Sequence, residues 1–290
     1  MPQSKNKLRT VNKLKQKKNF EAESITSRKN AKVIHACSLS EKKIRDREGL
    51  FVFEGEKLFG EALLEKVEIR EVFFTEKAGE RCCEMLEKAF LCGARLYEVT
   101  SEVYDKLTYE KAAQGVFVVA AKKEIPKIPD SISGEGFIVL DGLQDPTNIG
   151  AILRTCAALG SKRVLMTRDC ADIYGAKALR ASMGAVFKTE LYIADSISDS
   201  ISLLKRLGKV YAAALTDNAA SIAETEFAVG DSIVIGNEGH GVSQETLEAV
   251  DGAVIIPMQC GTESLNASVA AAILIWEKAV KTKKDYSTGM

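Results

Sequence analysis

From Ile25 onward the chain reads as short apolar runs separated by polar, glycine- or proline-marked breaks, with two periods alternating along it. Apolar residues three and four apart predict helices over 33–37, 41–47, 56–65, 81–90 and 101–107. In the third of these, Leu58, Ala62 and Leu63 set the spacing. Compact β-branched and aromatic runs predict strands over 50–53, 72–75, 95–99 and 116–121. Together they describe an α/β unit of ordinary small-domain size. The stretch 122–134, KKEIPKIPDSISG, breaks the pattern. Its Pro126, Pro129, Ser131, Ser133 and Gly134 predict a linker.

A second unit follows. Strands are predicted over 137–140, 163–167, 189–193, 210–214, 232–236 and 253–256, and helices over 149–159, 176–183, 199–207, 244–250 and 264–278. Strands alternating with helices argue for a parallel sheet covered on both faces, and near-continuous apolar runs such as FIVL and IVIG argue for burial on both sides. The stretch 215–231 is a longer connection with weak helical character. The expected fold class is therefore α/β: a C-terminal, mostly parallel sheet with helices on both faces, preceded by a smaller α/β domain. The expected boundaries are a basic, disordered arm over 1–24, a small domain over 25–122, a linker over 123–135 and the larger domain over 136–290.

Composition narrows the class. Hydrophobic content of 46% and charged content of 28% are those of a soluble globular protein. No apolar run reaches the length of a membrane span; the longest, near Val269–Trp276, meets Glu277 and Lys278. The N-terminus lacks the apolar segment of a secretory signal. Seven cysteines (Cys37, Cys82, Cys83, Cys92, Cys156, Cys170 and Cys260) form no C-x-x-C pair and read as reduced cytoplasmic thiols. His35 and His240 are the only histidines, so no histidine-rich metal site is expected. The net charge of zero hides an asymmetry: residues 1–20 carry seven basic side chains and no acidic one, leaving 33 basic against 40 acidic residues in the rest. A basic arm on a mildly acidic body suggests a polyanionic partner.

Candidate chemistry falls at three strand ends, where open α/β sheets keep their ligand sites: DGLQDPTNIGAILRTC at 141–156, SIVIGNEGHGVS at 232–243 and VIIPMQCGTESLNASVA at 254–270. In the first, Thr147 or Asn148 can cap the following helix. Arg154 lies one turn after Gly150, which is expected to leave space above the guanidinium for a phosphate. In the second, the glycines let the backbone approach a ligand, Ser243 caps a helix, and His240 reads as a surface residue. In the third, residues 261–263 form a turn, and Ser264 and Asn266 occupy the first turn of a long helix, where side chains and free N–H groups can meet a ligand. Leu265, Val269, Ala272 and Trp276 share one face of that helix and read as core. Neither G-x-G-x-x-G after a strand nor G-x-x-x-x-G-K-[ST] occurs.

Read in order, N-x-G-A-x-x-R (148–154), I-G-N-E-G-x-G-V-S (235–243) and I-P-M-x-x-x-x-E-S-L-N-A-S-V-A (256–270) resemble the three motifs of the SpoU family of RNA ribose 2′-O-methyltransferases, in the SPOUT superfamily. R-A-S-M-G at 180–184 is similar to the family's intermediate segment, and Ala267 stands where valine is frequent. Ser38-Leu39-Ser40, Lys43, Arg45 and FVFEG at 51–55 resemble the family's ribosomal-protein-like RNA-binding domain.

The resemblance implies a trefoil knot, S-adenosylmethionine as cofactor, structured RNA, foremost 23S rRNA, as partner, a homodimer with its sites near the interface, no metal, no membrane and a cytoplasmic location. It implies Arg154 as catalytic, with Asn148, Glu238, Ser264 and Asn266 around it, and a cofactor pocket lined by Leu215, Gly236, Ile256, Met258 and Leu265. The competing readings are a tRNA ribose methyltransferase, a non-catalytic RNA-binding or ribosome-assembly factor, and a nucleotide-binding oxidoreductase. The missing glycine fingerprint counts against the last.

Overall fold

The structure, a computed structural model, describes residues 19–110, 112–259 and 264–282. The basic arm up to residue 18, the turn expected at 261–263, Cys260 and the end of the larger domain from 283 lie outside them.

The N-terminal domain holds strands β1 (Glu23–Ile25), β2 (Leu50–Glu54), β3 (Ile69–Phe74), β4 (Arg95–Val99) and β5 (Val116–Ala121), ordered β1-β4-β3-β5-β2. Strand β5 runs antiparallel to β2 and β3, and the β1, β4 and β3 pairings are parallel. Helices α1 (Ala31–Ser38), α2 (Lys42–Glu48), α3 (Glu56–Leu64), α4 (Glu76–Arg81), α5 (Cys83–Leu91) and α6 (Ser101–Leu107) connect them. The fold begins earlier than the expected boundary at residue 25. Phe20 is buried with its ring edge-on to Phe74 at 6.1 Å, and β1 already pairs with β4 at Glu23. A segment of three residues is too short to show periodicity.

The C-terminal domain holds β6 (Ile138–Asp141), β7 (Arg163–Thr167), β8 (Glu190–Ala194), β9 (Val210–Ala213), β10 (Ala220–Ser221), β11 (Ser232–Gly236) and β12 (Gly252–Ile255), ordered β10-β12-β9-β11-β6-β7-β8 with every pairing parallel. Helices α7 (Pro146–Leu159), α8 (Ala176–Ser182), α9 (Ala185–Lys188), α10 (Ile197–Leu204), α11 (Gln244–Ala249) and α12 (Ala267–Thr282) cover it. Its central strands β6, β7 and β11 are buried on both faces, as their apolar runs require. Helix α12 packs on β11 and α7.

The stretch expected to be a linker is docked. Ile128 is buried in the core beneath α10, Ile193 N–H donates to the Pro126 carbonyl at 2.9 Å, and the Tyr174 hydroxyl donates to the Lys123 carbonyl at 3.1 Å. One hydrophobic core crosses between the domains: Phe51 lies 4.7 Å from Tyr174 and Phe53 lies 5.7 Å from Phe187, centroid to centroid. Beside them the buried Arg45 guanidinium donates to Asp172 at 2.6 Å, and its other amino group donates to the Leu39 carbonyl at 2.9 Å.

Candidate active site

A cavity of about 700 Å³ opens at the C-terminal ends of β9, β11 and β12 and is closed from one side by the start of α12. Three strand-end loops build it. After β11 the chain makes a tight hairpin in which Asn237 and Gly241 exchange backbone hydrogen bonds at 2.8 and 2.9 Å. Gly236 makes that hairpin possible: a Cβ there would sit 2.2 Å from Val242 N. Its missing side chain serves the loop's own closure, where the sequence suggested approach to a ligand.

The hairpin is tied to the end of β6. Asn237 Nδ2 donates to the Gly142 carbonyl at 2.7 Å, and the buried Asp141 carboxylate accepts from Ser243 N–H at 2.9 Å and from the Thr246 hydroxyl at 2.8 Å. Glu238 reaches the start of α7, where it accepts from the backbone N–H groups of Gln144 and Asp145, each at 3.1 Å, and from Asn148 Nδ2 at 2.9 Å. A helix N-terminus favours such a carboxylate. Burial works against the Glu238 charge, but the hydrogen bonds from Asn148 and from backbone N–H groups outweigh it and hold the carboxyl below its ordinary range.

The third loop joins through Asn266, whose Nδ2 donates to Asn148 Oδ1 at 3.0 Å. Asn266 Oδ1 accepts from Ser268 N–H at 2.9 Å and Val269 N–H at 3.3 Å, the bonds of an N-cap. Helix α12 therefore starts at Ala267, and Asn266 and Ser264 precede it instead of lying in its first turn. At α7 the cap is Asp145, whose side chain accepts from Thr147 N–H at 2.7 Å, with Pro146 following; Thr147 and Asn148 lie inside the helix.

Leu215, Gly236, Glu238, Ile256, Met258, Ser264, Leu265 and Asn266 all line the cavity. Asn148 is buried behind the wall and bridges Glu238 to Asn266. Arg154 does not line the cavity. It lies exposed on α7, without a hydrogen-bond or ion-pair partner among the described residues. The opening expected at Gly150 is filled, because a Cβ there would sit 2.5 Å from the Ala178 carbonyl oxygen of α8. Val269 and Trp276 are 46% and 52% exposed and so are not core. The clamps made by Asp141 and Asn237 were missed in the sequence. The one local signal was an acidic residue ending a buried strand just before a glycine.

No lysine or arginine lines the cavity among the described residues; the walls are mostly aliphatic side chains and backbone, with Asn237, Glu238, His240, Ser264 and Asn266 as the polar side chains. The volume falls in the roughly 300–1,000 Å³ range of small-molecule sites. Such walls suit an uncharged purine and an amino-acid chain with a cationic centre, and they do not suit a phosphate, which calls for cations or a helix N-terminus.

Residues 135–276 match the SpoU rRNA Methylase family, and residues 30–118 match the MRM3-like substrate binding domain. The chain is 30% identical over 253 residues to the 23S rRNA (guanosine(2553)-2′-O)-methyltransferase RlmP of Bacillus subtilis, covering 87% of this chain and 97% of that one. It is 32% identical over 216 residues to the 23S rRNA (guanosine-2′-O-)-methyltransferase RlmB of Bordetella pertussis, covering 72% and 88%. The AdoMet-bound rRNA methyltransferase from Sinorhizobium meliloti superposes over 89% of this chain and 97% of its own, with a TM-score of 0.79 and 26% identity.

Proposed function

This chain belongs to the SpoU rRNA methylase family, and we propose on that premise that it methylates a ribose 2′-hydroxyl of 23S ribosomal RNA with S-adenosylmethionine as donor. The observation that carries the reading is the cavity: a largely aliphatic and backbone-lined pocket without lysine or arginine, lined by the second and third motifs and tied to the first through Asn148. The cofactor, when bound, supplies an electrophilic methyl group. Gly236, Ile256 and Leu265 line the pocket walls, and Leu215 and Met258, 72% and 36% exposed, form the mouth. The Glu238–Asn148–Asn266 relay locks the three loops in register, so the pocket is formed before substrate arrives. That preorganisation lowers the entropic part of the barrier.

Arg154 acts as a phosphate clamp on this reading. An arginine stays protonated near neutral pH. It therefore holds the RNA backbone and eases the negative charge that develops on the 2′-oxygen as its proton leaves. Because Arg154 stands outside the cavity of its own chain, it serves the cavity of a second copy. The enzyme is a homodimer packed through the exposed apolar face of α12, formed by Val269, Trp276 and Val280, next to α7. An RNA substrate, the reduced thiols and the basic arm all fit a cytoplasmic enzyme.

Subunit mixing tests this reading. Wild-type protein should transfer labelled methyl groups from S-adenosylmethionine to an unmodified 23S rRNA transcript, with the product mapped as a 2′-O-methyl ribose. Arg154→Ala should bind cofactor and fail to turn over, while Gly236→Val should fail to bind it. Mixing the two dead variants should restore turnover, because one site of each mixed dimer is intact. Failure to complement would place Arg154 in its own chain's site, and wild-type turnover by Arg154→Ala alone would remove its role.

A further inference from the structure

Tyr109 is 47% exposed, at the junction of the two domains. The Glu54 carboxylate accepts from Tyr109 N–H at 3.0 Å and from the Thr108 hydroxyl at 2.5 Å, and Thr108 Oγ1 in turn accepts from Glu110 N–H at 3.0 Å. The ring rests against the fully buried Phe117, centroids 6.1 Å apart and planes 51° apart, with its phenol beside Ser40 of the α1–α2 turn. A half-exposed aromatic ring fixed from below loses little conformational entropy when something settles on it.

The surroundings say what that partner is. Ser40 is followed by the exposed Glu41, the N-cap of α2, and then by the helix's first two residues, Lys42 and Lys43, both exposed. On the other side Glu110 pairs with Arg180 of the catalytic domain, and Lys177 is exposed one turn earlier on α8. Both members of the Glu110–Arg180 pair are substantially exposed, so the contact is weak and the guanidinium can exchange onto a phosphate. The position also fits. Arg45 anchors this turn to Asp172, in the segment that leaves the C-terminal end of β7, which is the sheet edge where the cofactor cavity opens. An aromatic ring flanked by exposed cations on the cavity's side of the molecule has the chemistry of a single-strand nucleic-acid platform.

We propose that Tyr109 stacks on an unpaired base of the substrate RNA, with Lys42, Lys43, Lys177 and Arg180 holding the adjoining phosphates. This inference rests on the RNA-methylation reading. The base is unpaired because bases inside a helix already have both faces stacked, whereas loops and bulges splay theirs out. The surface thus selects RNA by the presence of a splayed base at a set distance from the target ribose, and it contributes binding without touching the reacting atoms.

The test is steady-state methylation of an unmodified 23S rRNA transcript with tritiated S-adenosylmethionine, over a range of salt. Tyr109→Ala should raise KM for the RNA about 5- to 150-fold, the usual worth of one stacked base. Its kcat at saturating RNA and its cofactor affinity should stay at wild-type values, and Tyr109→Phe should restore KM. Tyr109→Ala should keep the wild-type salt dependence, whereas Lys43→Ala should flatten it, since only the lysine neutralises a phosphate. Unchanged KM in Tyr109→Ala, beside an active wild-type enzyme, overturns the inference and leaves the methyltransferase reading standing. A defect seen on ribosomal particles but absent on naked RNA assigns the surface to a protein and also overturns it. Wild-type protein that methylates neither substrate sinks the reading and the inference together.

Discussion

Single residues decide how closely the loops and helices of the catalytic domain approach. At Gly150 an added Cβ would meet the Ala178 carbonyl oxygen at 2.5 Å, Ala181 Cβ at 2.7 Å and Ser182 N at 2.9 Å, all on α8. Gly150→Ala should therefore push α7 from α8 and cost about 1–3 kcal/mol, the usual penalty for overpacking. The measurement is a urea midpoint that falls at unchanged slope; an unchanged midpoint would mean that α8 shifts freely. The i, i+4 spacing of Gly150 and Arg154 was legible in the sequence, but the helix that fills the gap comes from elsewhere in the chain, and no local pattern reveals it. Glu238 entered the sequence reading through the resemblance, and in the structure it ties the hairpin after β11 to the start of α7. Its folded carboxyl is held below the ordinary value by Asn148 and two backbone N–H groups, burial notwithstanding. The stabilisation is thus complete above the unfolded value of about 4.3 and is lost as pH falls through the lower folded value. Cofactor binding followed by calorimetry should weaken in that acid window in the wild type. Glu238→Gln should bind less tightly throughout and lack the acid step, and an identical step in the variant would assign it to another group.

At the scale of elements, strands were read more faithfully than helix ends. Arg95–Val99, Arg163–Thr167 and Ser232–Gly236 stand where their apolar runs put them; charge or glycine marks both borders of the last two, and the helix-capping Thr100 closes the first. The helix expected over 81–90 is α5, Cys83–Leu91; α4 before it was not expected, capped by Thr75 through Ala78 N–H and ending at Arg81 before the chain bends at Cys82. Gly79 inside α4 weakens the helical signal that would have shown it. Elements as short as β10 and α9 carry no period to read. The largest difference concerns α12. Val269 and Trp276 have the spacing of a core stripe yet are 46% and 52% exposed, with Val280 at 46% continuing the stripe. Periodicity reports an apolar face and is silent about whether the same chain or another covers it. Exposed apolar faces of this kind mark interaction sites. Trp276→Glu should therefore give a monomer by sedimentation that no longer methylates RNA. A dimeric, active Trp276→Glu protein would move the interface elsewhere.

Across the whole molecule, the sequence divides at residues 122–134, yet the structure shows little slack there. Proline and serine gave the stretch its linker character, while Ile125 and Ile128 give it two points of attachment. The division itself was legible from a change in composition; the docking was not, because Phe51, Phe53, Tyr174 and Phe187 meet only in three dimensions. The Arg45–Asp172 ion pair is the polar counterpart of that aromatic contact, with side chains 7% and 14% exposed. Arg45 keeps its hydrogen bonds to the Leu39 and Ser40 carbonyls on its own domain, so losing Asp172 would leave a guanidinium facing an apolar interface without its counter-charge. Breaking a buried pair from one side costs about 3–5 kcal/mol. Here that cost falls on the docked state alone, because each domain has core of its own on the sheet face away from the junction. Asp172→Ala should split thermal unfolding into two transitions and leave cofactor affinity near that of the wild type. It should raise KM for RNA, since the base-stacking surface would no longer be held at a fixed distance from the cavity. Arg45→Met combined with Asp172→Leu should recover the single transition, because an apolar pair of similar volume replaces such ions with little loss. If Asp172→Ala still unfolds in one step with unchanged KM, the aromatic cluster alone holds the domains together and the ion pair adds nothing to their register.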